Sequence, residues 1–211
     1  ISHCVQTAGQ RGRRLRSSQA PAHRDRQIHD AHSAAELEAH FARARATAKM
    51  GWPTAGAMTL LHIGGSRTEV LSGRGESPDT QHTMGIGAEQ IARAYFHHDP
   101  PTSIELERSI DAVEDEVMRL SRPIDPQAAL VGIDDGLRAW AAIAGAAMTL
   151  ELVEQLFQRL ASASLGHPSA LRGLLTGREA AATLLILREF MHHLGYASIM
   201  VLALPRDAKL P

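Results

Sequence analysis

Short apolar runs that close on a glycine or a polar break alternate along this chain with amphipathic helices, and that alternation narrows the fold more than any other feature. The runs predicted as strands are 57–63, closing on Gly64 and Gly65; 68–72; 128–131, closing on Gly132; and 197–202. So few residues separate the first two that they predict a hairpin. Three helix starts carry one local signal: Ser33 with Glu36, Thr102 with Glu105, and Thr176 with Glu179. In each, the hydroxyl accepts from an early helical amide while the carboxylate reaches back to the cap. Behind Ser33, the residues Leu37, Phe41, Ala44 and Ala48 share a face; behind Thr102, so do Ile110, Val113, Val117 and Leu120. The third stripe is Leu184, Leu187, Met191 and Leu194, with Gly195 as its stop. A fourth helix is predicted from Thr149 and a fifth over 88–96. Strands set between helices predict a mixed sheet with helices packed on it.

Composition excludes several classes of function. The 211 residues are 44% hydrophobic, enough for one large domain or two small ones with a real core. A formal net charge of −1 supplies no bulk field for nucleic acid or anionic membranes. The single cysteine, Cys4, excludes an intrachain disulfide framework and any Cys-rich zinc module. No apolar run approaches the roughly 20 residues needed to span a bilayer. These features predict a soluble chain of a reducing compartment, placed in the cytoplasm. The first residue is Ile1, as expected of a processed chain or a piece of a longer protein. A basic excess at Arg11, Arg13, Arg14 and Arg16 reads as a solvated terminus or as a phosphate-contacting patch. Few aromatic residues accompany it, so a nucleic-acid stacking platform is not expected.

Chemistry concentrates in two turns. In the first, a strand enters Gly64-Gly65-Ser66-Arg67 and a second strand leaves it. Glycines let backbone approach a ligand, and consecutive amides in such a turn can point at an anion. Hydroxyls at Ser66 or Thr68 and the cation of Arg67 would add donors for phosphate oxygens. The alternative is an ordinary hairpin turn. The second segment is Val131-Gly-Ile-Asp-Asp-Gly136, where Asp134 and Asp135 either cap a helix beginning near Leu137 or hold a divalent cation. Twelve histidines invite a metal reading. The pairs His97-His98 and His192-His193 are adjacent rather than four apart, and His29 and His32 precede the first cap, so no metal site is assigned.

Taken in order, the segments resemble the exopolyphosphatase/guanosine pentaphosphate phosphatase (Ppx/GppA) family of the actin-like ATPase superfamily. The family's strand end Asp-Ile-Gly-Gly-Gly-Ser-Thr-Glu corresponds to His62-Ile-Gly-Gly-Ser-Arg-Thr-Glu69. Its Leu-Gly segment and Phe-x-x-x-Asp-Pro-Pro-Thr correspond to Met84-Gly-Ile-Gly87 and Tyr95-Phe-His-His-Asp-Pro-Pro-Thr102. Its Val-Gly-Thr-Gly-Gly-Thr corresponds to Val131–Gly136, followed by the helices at 149–160 and 178–194 and the strand around Ile199. At the front, Val5–Arg11 resembles Ala-Thr-Ser-Ala-Leu-Arg, and Ser33-Ala-Ala-Glu-Leu-Glu38 resembles Ser-Gly-x-Glu-Glu-Ala. The likeness runs from about residue 5 to about residue 204.

The resemblance implies an α/β, ribonuclease-H-like fold with a mixed sheet flanked by helices. Residues 51–211 would form the family's second domain, and 1–50 a remnant of the preceding one plus a connecting helix. It implies hydrolysis of terminal phosphoryl groups of polyphosphate or a guanosine alarmone, with Glu36 as base and Mg²⁺ as cofactor where the chain is active. Gly64, Gly65, Ser66, Arg67, Gly132 and Gly136 would bind phosphate. Departures cluster at the same places. His62 replaces the strand-end Asp that helps hold metal, Ser66 and Arg67 replace Gly and Ser, and Asp134 and Asp135 stand where small residues would admit phosphate. Leu37 takes the second position of the family's acidic pair, and no Asp-x-Gly-Ser-Asn-Ser turn occurs. The second reading is therefore a catalytically silent phosphate- or nucleotide-binding scaffold or one subunit of a homodimer, without nucleic-acid or membrane partners.

Overall fold

A computed structural model describes residues 33–49, 56–120 and 124–203. The basic front, Cys4, His29, His32 and the segment Val5–Arg11 lie outside the described residues, as does the expected domain boundary near residue 50. In chain order the elements are α1 (Ala34–Lys49), β1 (Met58–Ile63), β2 (Thr68–Gly73), β3 (Thr80–Met84), α2 (Ala88–Tyr95), α3 (Ser103–Met118), β4 (Ala129–Gly132), α4 (Asp135–Ala144), β5 (Ala147–Thr149), α5 (Leu150–Ser164), α6 (Arg178–Leu194) and β6 (Ser198–Val201). A short 3₁₀ turn, Pro168–Leu171, joins α5 to α6.

All six strands form one mixed sheet in the order β3-β2-β1-β4-β6-β5. The meander β1-β2-β3 is antiparallel, β1, β4 and β6 run parallel, and β5 returns antiparallel on β6. Parallel neighbours need a crossover, and α2 with α3 supplies it between β3 and β4. The expected hairpin is present, with Ile63 opposite Thr68 at its closed end.

Among the described residues the two faces of the sheet are covered unequally. On one face α1 contributes Leu37, Phe41 and Ala44 over Met58, Leu60, Leu71, Val131 and Ile133. The other face carries the main core, built from Leu61, Val70, Leu130 and Ile199 of the sheet and from α2 to α6. Helix α6 lies at its centre: Ala181 through Leu187, then Glu189, Phe190 and Met191, are all buried. A helix apolar all round is one enclosed all round, so the stripe expected for α6 is wider than the spacing alone indicated.

Most helix ends match expectation. Thr102 and Glu105 form a full capping box, with the Glu105 amide donating to Thr102 Oγ1 at 3.3 Å and the Thr102 amide to Glu105 Oε2 at 2.8 Å. Thr149 caps α5, and Gly195 stops α6 in the left-handed region at φ 75°. The box expected at Thr176 and Glu179 does not form. Gly177 is the N-cap, at φ 106°, and its amide donates to Asp99 Oδ1 at 3.2 Å. A positive φ there turns the chain away from the geometry in which Thr176 could reach the first helical amides.

Candidate functional site

Parallel β1 and β4 carry their carboxyl ends to the same edge, so the two turns that follow them are neighbours. One contact joins them directly: the Ile63 amide, at the last residue of β1, donates to Asp134 Oδ2 at 3.0 Å. The other oxygen, Oδ1, accepts from the Leu137 amide at 2.8 Å and caps α4. Asp134 is therefore the capping residue, as one of the two sequence readings had it, and it binds across the sheet as well. Burial raises its carboxyl to about 6, against the pull of the Ile63, Leu137 and Gly136 amides, which favour the charged form. Asp135 is exposed and pairs with Arg138.

The first bend is built from backbone. Gly64 donates to the Arg67 carbonyl at 2.9 Å and closes the turn. Its own carbonyl accepts from Ala88 at 2.9 Å, and the Gly65 carbonyl accepts from Gln90 at 2.8 Å, so the first turn of α2 is pinned onto the bend. Gly87 makes that approach possible. A Cβ there would lie 2.5 Å from Gly64 O and 2.5 Å from the Arg67 amide. Among the described residues no acceptor reaches the amides of Gly65 and Ser66, and Ser66 is exposed. These two N–H groups remain for a ligand. Thr68, considered above as a donor, is buried and donates to the Ile86 carbonyl at 2.9 Å, so it is unavailable to one.

Arg67 does not simply project into solvent. Its Nε lies 2.8 Å from Glu69 Oε1, the guanidinium side chain being 40% exposed and the carboxylate 6%. The other oxygen of Glu69 accepts from Thr83 Oγ1 at 2.7 Å. His62 stands directly opposite Glu69 in the ladder, and Thr83 opposite it on the other side. Sequence reading passed over Glu69 as a site residue; its place two positions after Arg67, where β2 begins, was the available signal.

Glu36 lies at the start of α1. Near the far end of that helix, Arg45 donates to the Arg74 carbonyl, beside the Met58–Gly73 pair where β1 begins. Helix α1 thus runs against β1, and its first turn is directed toward the edge that holds the two bends. The Glu36 carboxylate accepts from the Ser33 amide at 2.7 Å and caps its own helix.

Packing accounts for the glycines of the second bend. A Cβ on Gly132 would come within 2.6 Å of Leu137 Cδ1, and one on Gly136 within 2.9 Å of Thr183 Oγ1. A groove of about 580 Å³ opens between α2, α4 and the start of α6, lined in part by Glu89, Arg93, Thr176 and Arg178.

The residues do not suit a hard divalent cation. A neutral imidazole at His62 is a poor oxygen-site substitute. Both oxygens of Glu69 and of Asp134 are already engaged by protein donors. Among the described residues, no three His, Cys, Asp or Glu side chains are grouped as a metal site.

An antiparallel three-strand meander continued by parallel strands, with strand-end bends on one edge, defines a ribonuclease-H-like domain of the actin-like ATPase type. A profile of the Ppx/GppA phosphatase family matches residues 35–202, and the chain belongs to that family. Solved structures agree. The chain is 20% identical to an Aquifex aeolicus PPX-GPPA enzyme with a TM-score of 0.58, covering 70% of this chain and 54% of that one. A second Aquifex aeolicus family structure gives 19% identity and 0.62 over 79% and 58%. An exopolyphosphatase from Cytophaga hutchinsonii gives 14% and 0.59 over 79% and 60%. The chain thus spans little more than half the length of these relatives. No curated protein matches it by sequence. Among the described residues no helix is long and apolar enough to cross a membrane.

Proposed function

We propose that this chain belongs to a phosphoanhydride hydrolase that releases the terminal phosphoryl group of polyphosphate or of a guanosine alarmone. The observation that carries the reading is the 3.0 Å bond from Ile63 to Asp134, which sets both bends on one edge with the open Gly65 and Ser66 amides beside them. Those amides and Arg67 would neutralise the phosphate oxygens, where charge accumulates in phosphoryl transfer. Glu36 would take the proton of the attacking water. Gly132 and Gly136 would shape the facing wall, and the groove at Arg93 and Arg178 would receive the remainder of the substrate. The family is generally dependent on a divalent metal, and Mg²⁺ is the ion this reading names, although the local donors do not fit it. The protein would work in the cytoplasm, as a homodimer, without nucleic-acid or membrane partners; sedimentation of the purified chain checks the assembly.

One observation favours a second reading, a catalytically silent phosphate binder: the Asp134 carboxylate occupies the start of α4, where an incoming phosphate would otherwise meet amides. The two separate in one preparation. Phosphate release from long-chain polyphosphate that disappears in Glu36→Gln identifies the hydrolase. Binding without release identifies the scaffold. Absence of both removes phosphate from the account.

A further inference from the structure

The disagreement between the donors around the first bend and a divalent ion has a positive side. Glu69 is a buried acid beside the bend, and its charge is already matched by a cation that belongs to the chain, Arg67, at 2.8 Å. Arg67 leads directly into β2, which carries Glu69 two residues on, and Thr83 holds the second carboxylate oxygen from β3. The carboxylate is therefore clamped from both sides. A clamped carboxylate fixes a guanidinium in turn, because the planar fork loses less freedom when one edge is held. The Arg67 side chain remains 40% exposed, and it follows in sequence directly on Gly65 and Ser66, whose amides are open. At His62, across the ladder from Glu69, the chain lacks the hard oxygen ligand that a Mg²⁺ ion would need at this strand end. Charge-assisted bonds from a guanidinium and from backbone amides are sufficient to hold a phosphate group.

We infer that the bend after β1 binds a phosphate chain without a metal ion, Arg67 supplying the positive charge in place of a divalent cation and Glu69 acting as its positioning residue. This rests on the reading that the bend binds phosphate, and the experiment keeps the two apart. Titrate the full chain with inorganic tripolyphosphate by calorimetry, once in excess EDTA and once in millimolar Mg²⁺. The affinities are expected to agree within about threefold, a difference of well under 1 kcal/mol. Arg67→Ala is expected to weaken binding about tenfold or more in both buffers, Arg67→Lys to recover part of the loss, and Glu69→Gln to weaken it several-fold while the far-ultraviolet spectrum stays unchanged. Binding that disappears in EDTA, or that rises more than about tenfold with Mg²⁺, overturns the inference and leaves the phosphate reading standing. Wild-type affinity in Arg67→Ala overturns it as well. No binding in either buffer overturns both.

Discussion

The two bends at the carboxyl edge begin alike and end as opposites. Each follows a parallel strand, each contains glycine, and one hydrogen bond links them. The first presents backbone amides and a guanidinium to solvent. The second turns its amides inward and satisfies them with a buried carboxylate. Position in a fold therefore does not determine which sign of charge a strand-end turn will accept. That depends on whether a side chain from the turn itself reaches the helix start first. Asp134 does so after β4, and nothing comparable does after β1.

Three substitutions test this contrast through unfolding, beginning with the largest. Asp134→Ala removes a helix cap and strands the Ile63 amide, so urea unfolding should show a loss of about 2–4 kcal/mol. A loss under about 1 kcal/mol would mean that water replaces the carboxylate and that the second bend is not closed as described. Gly87→Ala drives a Cβ into backbone of the first bend, where nothing flexible can yield. A cost of about 2–3 kcal/mol is expected, together with loss of tripolyphosphate binding. Gly136→Ala meets the side chain of Thr183 instead, which can move, and about 1 kcal/mol is expected by the same measurement.

The smallest effect is on pH dependence. With its carboxyl raised to about 6 by burial, Asp134 holds a proton more tightly in the folded state than in the unfolded one. It therefore makes stability fall as pH rises from about 4 to about 6, and Asp134→Asn should remove that slope. Glu105 acts in the opposite sense. Burial would raise it, but bonds from Thr102, His98 and His97 outweigh burial and hold the carboxyl at about 2. Its contribution is lost as pH falls from about 4.5 toward 2, and Glu105→Gln should flatten only that acid limb in a series of urea titrations.

Strands β1, β2, β4 and β6 could be read from their apolar runs, and the hairpin from the few residues between its strands. Strand β3, Thr-Gln-His-Thr-Met, could not. It is an edge strand, mostly exposed, and it pairs only with β2, so burial imposes no alternation on it. Strand β5 has three residues and merges into α5 without a break. At the site, the cap at Asp134 was legible because capping is local. Its bond to Ile63 was not, since 71 residues separate the partners. The pairing of Arg67 with Glu69 lay between these cases: two residues apart, yet meaningful only once Thr83 and His62 were placed on either side by the ladder.

The order of the sheet has a consequence for how the chain is made. Among the described residues strand β6 is the last strand in sequence, yet it sits inside, between β4 and β5. Until it emerges from the ribosome, β4 keeps a naked flank and β5 has no neighbour to pair with. The helix that fills the centre, α6, immediately precedes it. Strands β1 to β5 must therefore wait, exposed to chaperones and to their own kind, for a wedge that is made after them.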